Sequence, residues 1–251
     1  RSTLFPYTTL FRSVKLGELL YTGKTKQIFG TDDPDLIVVH YKDDALAYNG
    51  IKRAQIANKG VLNNKISAII YGMLEKEGFH THFVRRLSDR DQLCRRKRQI
   101  IKLEFIVRNI AAGSMAKRLG LKVGTQLATP VYEITYKNDD LADPIINEHH
   151  AVALGLSSYE ELAEIHDVVA RLNTTLQRIF AQIGVTLVDA KFEFGRTADG
   201  TLVVADEISP DTTRLWDTKT LESLDRDRFR KDLGKISEAY EEILNRLSSI
   251  A

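Results

Sequence analysis

The chain has 251 residues with 43% hydrophobic content, enough to bury a substantial core as one large domain or as two lobes. Its 36 basic residues against 34 acidic ones give no broad attraction to nucleic acid or to an anionic membrane, so neither is an expected partner. No apolar run approaches the roughly 18 residues that a membrane-spanning helix needs, and the single cysteine, Cys94, rules out an intrachain disulfide, which makes a cytoplasmic location the default expectation.

Residues 1–13 read RSTLFPYTTLFRS. They repeat Thr-Leu-Phe, lack the apolar core and cleavage pattern of a signal peptide, and resemble the translated read-through of a sequencing adapter, so they are expected to be artefactual. From Val14 onward, strand patterns over 19–29, 36–41 and 81–87 with a helical stretch over 54–77 predict a small α+β lobe spanning 14–95. Gly23-Lys24-Thr25 invites a P-loop reading, but that motif needs a glycine where this chain has Glu18, and Gly17 comes one place too early. Gly23 then marks a turn, after which Lys24 and Lys26 alternate onto one face of the next strand, where their amines could reach phosphates or simply meet solvent. The basic run Arg95-Arg-Lys-Arg98 reads as a solvated turn or strand edge at a lobe boundary near 93–99.

The second lobe, 96–251, opens with strand patterns over 100–107 and 131–136. Between them Arg108 stands at a strand end, followed by small residues and Ser114 leading into a short helix over 115–119. Exposed backbone N–H groups and a forked guanidinium suit an anion there, against the plainer reading of a helix cap beside a surface arginine. A long amphipathic helix over 159–183 keeps Leu162, Ile165, Val169, Leu172, Leu176, Ile179 and Ile183 on one stripe, with Ser158 and Glu161 forming an expected capping box.

The segment 185–207 carries the densest chemistry. Period two along VTLVDAKFEFG puts Asp189, Lys191 and Glu193 on one face and Val188, Ala190, Phe192 and Phe194 on the other. An Asp199-Gly200 turn would return the chain so that Glu193 faces Asp206, with Cβ atoms roughly 5 Å apart. Carboxylates that close repel unless a cation sits between them, and such oxygen ligands suit Mg²⁺ carrying substrate phosphates. A solvated hairpin face with alternating charges is the competing reading. The polar loop that follows offers Ser209, Asp211 and Arg214 as substrate contacts and Trp216 as packing. Helices are expected over 221–233 and 237–247, and His80, His82, His149 and His150 lack a metal-binding framework, so they read as structural or surface residues.

LYTGKTKQIF, DDALAYNGIKR, VRNIAAGS, TYKNDDLADPIINE, LVDAKFEFG and DEISPDTTRLWD, in that order, closely resemble the phosphoribosylaminoimidazole-succinocarboxamide synthases, the SAICAR synthetase family of purine biosynthesis. The resemblance implies a two-lobed α+β fold with a kinase-like ATP cleft. It also implies a ligase that joins the carboxylate of carboxyaminoimidazole ribonucleotide (CAIR) to the amine of L-aspartate, cleaving ATP to ADP and phosphate with Mg²⁺. Matched motif by motif, Lys24, Thr25 and Lys26 would contact ATP, and Glu193 and Asp206 would serve the metal. Asp189, Lys191 and Lys137 become catalytic candidates, while Arg108, Ser114, Asp143, Ser209, Asp211 and Arg214 would hold substrate. Ile110 stands where some relatives carry a basic residue, and Thr212-Thr213 replaces smaller residues of others. Relatives often form homodimers, although one chain shows no interface.

The chemistry implied is activation of a poor electrophile: phosphorylating the carboxylate makes an acyl phosphate, whose phosphate leaves readily when the amine attacks. A kinase would share the lobes, lysines and carboxylates, but H-R-D and D-F-G signatures are missing from the sequence. A non-catalytic nucleotide sensor would be favoured by loss of a metal carboxylate or phosphate lysine, and each of those residues is in place.

Overall fold

A computed structural model of the protein describes residues 14–47 and 51–251, so the adapter-like segment 1–13 lies outside the described residues. The chain begins with β1 (Leu16–Thr22), β2 (Lys26–Thr31), β3 (Leu36–Tyr41) and a short ribbon of β4 (Asp44–Ala47) with β5 (Lys52–Gln55). Helix α1 (Lys59–Lys76), β6 (Phe83–Arg86) and β7 (Asp91–Arg95) follow. Gly23 breaks the first expected strand into β1 and β2, its N–H donating to the Lys26 carbonyl at 2.8 Å. The helix expected from residue 54 starts five residues later, because Lys52–Gln55 pairs with Asp44–Ala47 and Asn58 then takes a left-handed conformation, φ 63°, which Asn tolerates better than most residues. The first sheet is antiparallel in the order β1-β2-β3-β7-β6.

Beyond the connection at 96–98 come β8 (Gln99–Ile110), α2 (Gly113–Leu119), β9 (Gln126–Tyr136), β10 (Ile145–Ile146), α3 (Glu148–Ala153) and α4 (Tyr159–Gln182). The chain ends with β11 (Val185–Arg196), β12 (Leu202–Ala205), β13 (Thr213–Asp217), α5 (Asp227–Arg230) and α6 (Ile236–Ser248). The second sheet runs β10-β9-β8-β11-β12, with β13 on the first half of β11. Helix α4 buries the expected stripe, and Ser158 Oγ accepts from the Glu161 N–H at 3.1 Å. The reciprocal half of the expected capping box is replaced: the Glu161 carboxylate turns outward to Arg196 Nε at 2.9 Å and the Ser157 hydroxyl at 2.8 Å.

The helix expected over 221–233 shrinks to Asp227–Arg230. Asp217 accepts the Lys219 and Thr220 N–H groups at 2.9 Å, and Asp225 accepts those of Leu215 and Asp227 at 2.8 and 2.6 Å. Short carboxylates that capture nearby N–H groups stabilise turns at the expense of helix. Arg214 Nε also reaches Asp227 here, at 3.2 Å.

The main core packs Ile66, Ile70 and Leu74 of α1 with Leu103, Phe105 and Phe192 of the second sheet and Phe83 of β6, while Ile37, Val39, Tyr41 and Cys94 of the first sheet form a smaller cluster. A backbone bond from His82 N, just before β6, to Val204 O of β12 (2.8 Å) links the two sheets, and Arg98 N to Arg196 O (2.8 Å) extends the β8–β11 pairing. Among the described residues no helix is long and apolar enough to cross a membrane.

Candidate active site

Strand β11 places Asp189, Lys191 and Glu193 on one face, as its alternation requires, and all three are shielded by the partner strands β8, β12 and β13. The return register differs from expectation by one residue: Glu193 faces Ala205, not Asp206. The turn holds three residues, Ala198 to Gly200, closed by Thr197 N to Thr201 O at 3.1 Å, with Gly200 at φ 83°. Asp199 explains the longer turn, since its carboxylate accepts the Thr197 hydroxyl at 2.6 Å and the Thr201 N–H at 3.1 Å.

In this register an extended Asp206 would lie opposite Phe192 and share its core face. It does not, because Asp206 adopts φ 66°, which swings its carboxylate to the polar side. There Oδ2 lies 3.6 Å from Lys191 Nζ, and Oδ1 pairs with Lys26, which reaches across from β2 of the first sheet. Lys26 also meets Glu207 at 2.7 Å. Lys191 bonds Glu104 at 2.7 Å and Glu193 at 2.8 Å, and Lys137, just beyond β9, pairs with the other Glu193 oxygen. The expected pair of carboxylates is thus assembled, through a bend rather than through facing positions.

Burial raises the Glu193 and Asp206 carboxyls, but the surrounding ammonium groups outweigh it: Lys191 and Lys137 lower Glu193, and Lys26 and Lys191 lower Asp206 further. Both stay ionised near neutral pH. Burial likewise opposes charge on Lys26 and Lys191, and their carboxylate partners overcome it, lifting both amines above the usual lysine range. Lys97 behaves oppositely: burial pulls its amine down despite attraction from Glu193 and Asp206.

The basic run at 95–98 is the expected exposed strand end and turn, with Lys97 as its exception. Arg95 donates to the Thr81 and Phe83 carbonyls at 2.8 Å, Arg98 bonds Asp35 at 2.7 Å, and Lys97 faces the acidic cluster. Lys97, Glu104 and Glu207 are site residues that sequence reasoning missed. Glu104 could have been found from strand pairing, since it stands opposite Glu193 on β8; a charge run carries no comparable signal for Lys97.

A second cluster lies along the same face. Arg108 donates to Glu133 at 2.7 Å, Asp189 at 3.3 Å and Ser114 Oγ at 3.3 Å. Arg214 reaches the same Asp189 oxygen at 2.6 Å. Burial opposes the Arg214 charge, but Asp189 and Asp227 outweigh it and raise the guanidinium above its usual range. Gly113, at φ 55°, lies under that guanidinium, so any side chain there would collide with it. Trp216 packs beside Ile110, Ala112 and Val188, as expected.

The remaining candidates divide. Lys24 bonds Asp139 at 2.6 Å across the cleft, and the Thr25 carbonyl accepts from Lys42 N at 2.9 Å. Asp143 accepts the Asn138 N–H at 2.9 Å and shapes the loop after Lys137. Ser209 and Asp211 are buried rather than presented to the cleft. The Ser209 hydroxyl donates to Glu207 at 2.6 Å, while Asp211 pairs with the buried Lys59 ammonium and accepts from Tyr240 OH at 2.6 Å.

A family model described as SAICAR synthetase matches residues 19–247. A phosphoribosylaminoimidazole-succinocarboxamide synthase of Fusobacterium nucleatum is 57% identical over 232 residues, covering 92% of this chain and 98% of the relative. The crystal structure of the corresponding synthase from Ehrlichia chaffeensis superposes with a TM-score of 0.90 at 40% identity, covering 93% of this chain and 100% of the other. A SAICAR synthetase in complex with ADP superposes at 0.89 with 43% identity, covering 92% and 98%. With matches this long on both sides, the chain belongs to the SAICAR synthetase family.

Proposed function

We propose that this protein is an ATP-dependent ligase that joins CAIR and L-aspartate to form SAICAR, ADP and phosphate, in the cytoplasm. The observation that carries the reading is the meeting of Lys26, from the first sheet, with Asp206 and the Lys191–Glu193 pair of the second. Nucleotide phosphates fit between those sheets, with Lys24, Thr25 and Lys26 lining the first-sheet side.

Glu193 and Asp206 suit Mg²⁺: both are ionised, both offer only oxygen, and together they leave most of the coordination to phosphate and water oxygens. Magnesium, when bound, would offset charge on the transferring phosphoryl group. Lys26, Lys137 and Lys191 add to that field and orient the carboxylates. On the substrate side Asp189 holds Arg108 and Arg214 together, so that two guanidiniums and Ser114 converge on the ribonucleotide's phosphate and neighbouring groups. Asp143 sets the loop that carries Lys137. Ser209 and Asp211 act from beneath, keeping the Arg214 segment rigid.

In the reaction a CAIR carboxylate oxygen attacks the γ-phosphorus and ADP departs. The aspartate amine then attacks the acyl phosphate carbon, and the carboxylate oxygen leaves with phosphate as the amide forms. Purified protein given ATP, Mg²⁺, L-aspartate and CAIR should release ADP only with the ribonucleotide present. Equal release without it would point to a different phosphotransferase.

Lysine at 108 or 214 keeps a charge but loses the planar fork that serves several partners at once. For Arg108→Lys and Arg214→Lys we expect CAIR affinity to fall by about 1.5–3 kcal/mol, tenfold to over a hundredfold, with ATP affinity nearly unchanged. Calorimetric titration with each ligand separately checks this; equal weakening toward both would refute the assignment. Gly113→Ala should reproduce the same selective loss, because its methyl group displaces the Arg214 guanidinium without touching the nucleotide side.

A further inference from the structure

Strand pairing of β12 stops at Ala205, and side chains rather than another strand take up the next carbonyls. Tyr71 OH, from α1, donates to Ala205 O at 3.0 Å. His82 Nε2 lies 3.0 Å from Asp206 O. A carbonyl can only accept, so Nε2 carries the proton and the ring is the Nε2–H tautomer.

The ring is held firmly. The His82 backbone donates to Val204 O at 2.8 Å and accepts from Arg95 N at 2.6 Å, and Tyr71 meets the imidazole edge-on with ring centres 5.5 Å apart. Burial pulls the imidazole down to about 3, which keeps it neutral. Its Nδ1 is buried without a hydrogen-bond partner among the described residues. A desolvated lone pair is unfavourable, and an apolar residue would avoid it, so what the histidine contributes here is the bond from its other nitrogen.

That bond falls on the residue whose conformation decides the site. Asp206 is a non-glycine residue at φ 66°, a backbone state that persists only where the surroundings impose it. Relaxed to an extended conformation, its carboxylate would turn toward the Phe192 face and away from Lys26 and Lys191. We propose that His82 is a positioning residue for the metal–nucleotide site: its Nε2–H clamps the Asp206 carbonyl and so holds the bend that presents the carboxylate. The inference rests on the reading of Asp206 as a magnesium ligand.

The test is calorimetric titration of ADP in the presence of Mg²⁺ and again in EDTA, the ratio of the two affinities measuring the metal's share. His82→Phe and His82→Leu remove the donor with different shapes, whereas His82→Gln keeps an N–H at a similar reach. Both donor-less variants should lose about tenfold or more of the ratio, the scale seen when an outer-shell partner of a metal ligand is removed, with ADP affinity in EDTA unmoved. His82→Gln should hold close to the unmodified protein. An unchanged ratio in the Phe and Leu variants would overturn the proposal, and so would an equal loss in His82→Gln, which would reduce the histidine to packing. An unmodified protein whose ADP affinity ignores magnesium would instead overturn the metal reading of Asp206, and the role of His82 with it.

Discussion

Asp206→Asn and Glu193→Gln should each lower turnover on the order of 10²–10³-fold, the range for deleting one preorganised electrostatic partner of a transition state, with little change in thermal stability. The stability expectation follows from redundancy in the cluster. Without Asp206, Lys26 keeps Glu207 and Lys191 keeps Glu104 and Glu193. Without Glu193, Lys191 keeps Glu104, and Lys137 is exposed enough to be solvated. The variants should also need more magnesium for half-maximal activity. Steady-state rates across a magnesium titration, beside a melting curve, check both parts. Unchanged rates would reject the metal assignment, and a collapse of the melting temperature would show the carboxylates to be structural.

Lys59→Met should cost about 3–5 kcal/mol of folding stability, because it strands a buried carboxylate. Lys59 and Asp211 are almost fully buried and meet as an ion pair, with Tyr240 on the second carboxylate oxygen. Against a total of roughly 5–15 kcal/mol this is a large share. The double variant Lys59→Met/Asp211→Leu should recover much of it, since removing both charges removes the desolvation cost. Burial raises the Asp211 carboxyl, but Lys59 outweighs it and holds it at about 2. A carboxyl depressed below its unfolded value, about 3.9, contributes stability that is present above that pH and lost as pH falls toward the folded value. Acid unfolding of the unmodified protein should therefore steepen between about pH 4 and 2, and Lys59→Met should flatten that slope. Urea unfolding across this range measures it. If Asp211 instead contacted substrate directly, Asp211→Asn would weaken CAIR binding and leave the acid profile unaltered.

What could be read from the residues depended on whether the signal was local. The α4 stripe and the β11 alternation are periodic: the structure buries the α4 stripe and keeps Asp189, Lys191 and Glu193 on one face of β11, although Asp189 and Glu193 are buried there rather than exposed. The loop 206–217 and the helix expected over 221–233, which shortens to Asp227–Arg230, depart from expectation for a shared reason. Asp217 and Asp225 bind backbone N–H groups of this region, turning a helical pattern into turns and leaving Thr213–Asp217 free to pair with β11. The hairpin register slipped because Asp199 supports a turn one residue longer than the Asp-Gly pair suggested.

Within the site, Asp189, Lys191, Glu193, Arg108 and Arg214 come together as strand alternation and the family motifs implied. Their partners were less legible. Lys97 and Glu207 enter only through tertiary arrangement, and Lys59 is an ordinary lysine in sequence until the fold buries it against Asp211. The two arginines converge on one Asp189 oxygen, a meeting that no spacing in the sequence announces.

The most direct test of the account uses CAIR labelled with ¹⁸O in both carboxylate oxygens, turned over with ATP, Mg²⁺ and L-aspartate. Activation by phosphorylation predicts one labelled oxygen in the released phosphate and the other in the SAICAR amide, in equal amounts with ADP. Unlabelled phosphate accompanying SAICAR formation would contradict it, because the carboxylate oxygen would then have left by a route that never joined it to phosphorus.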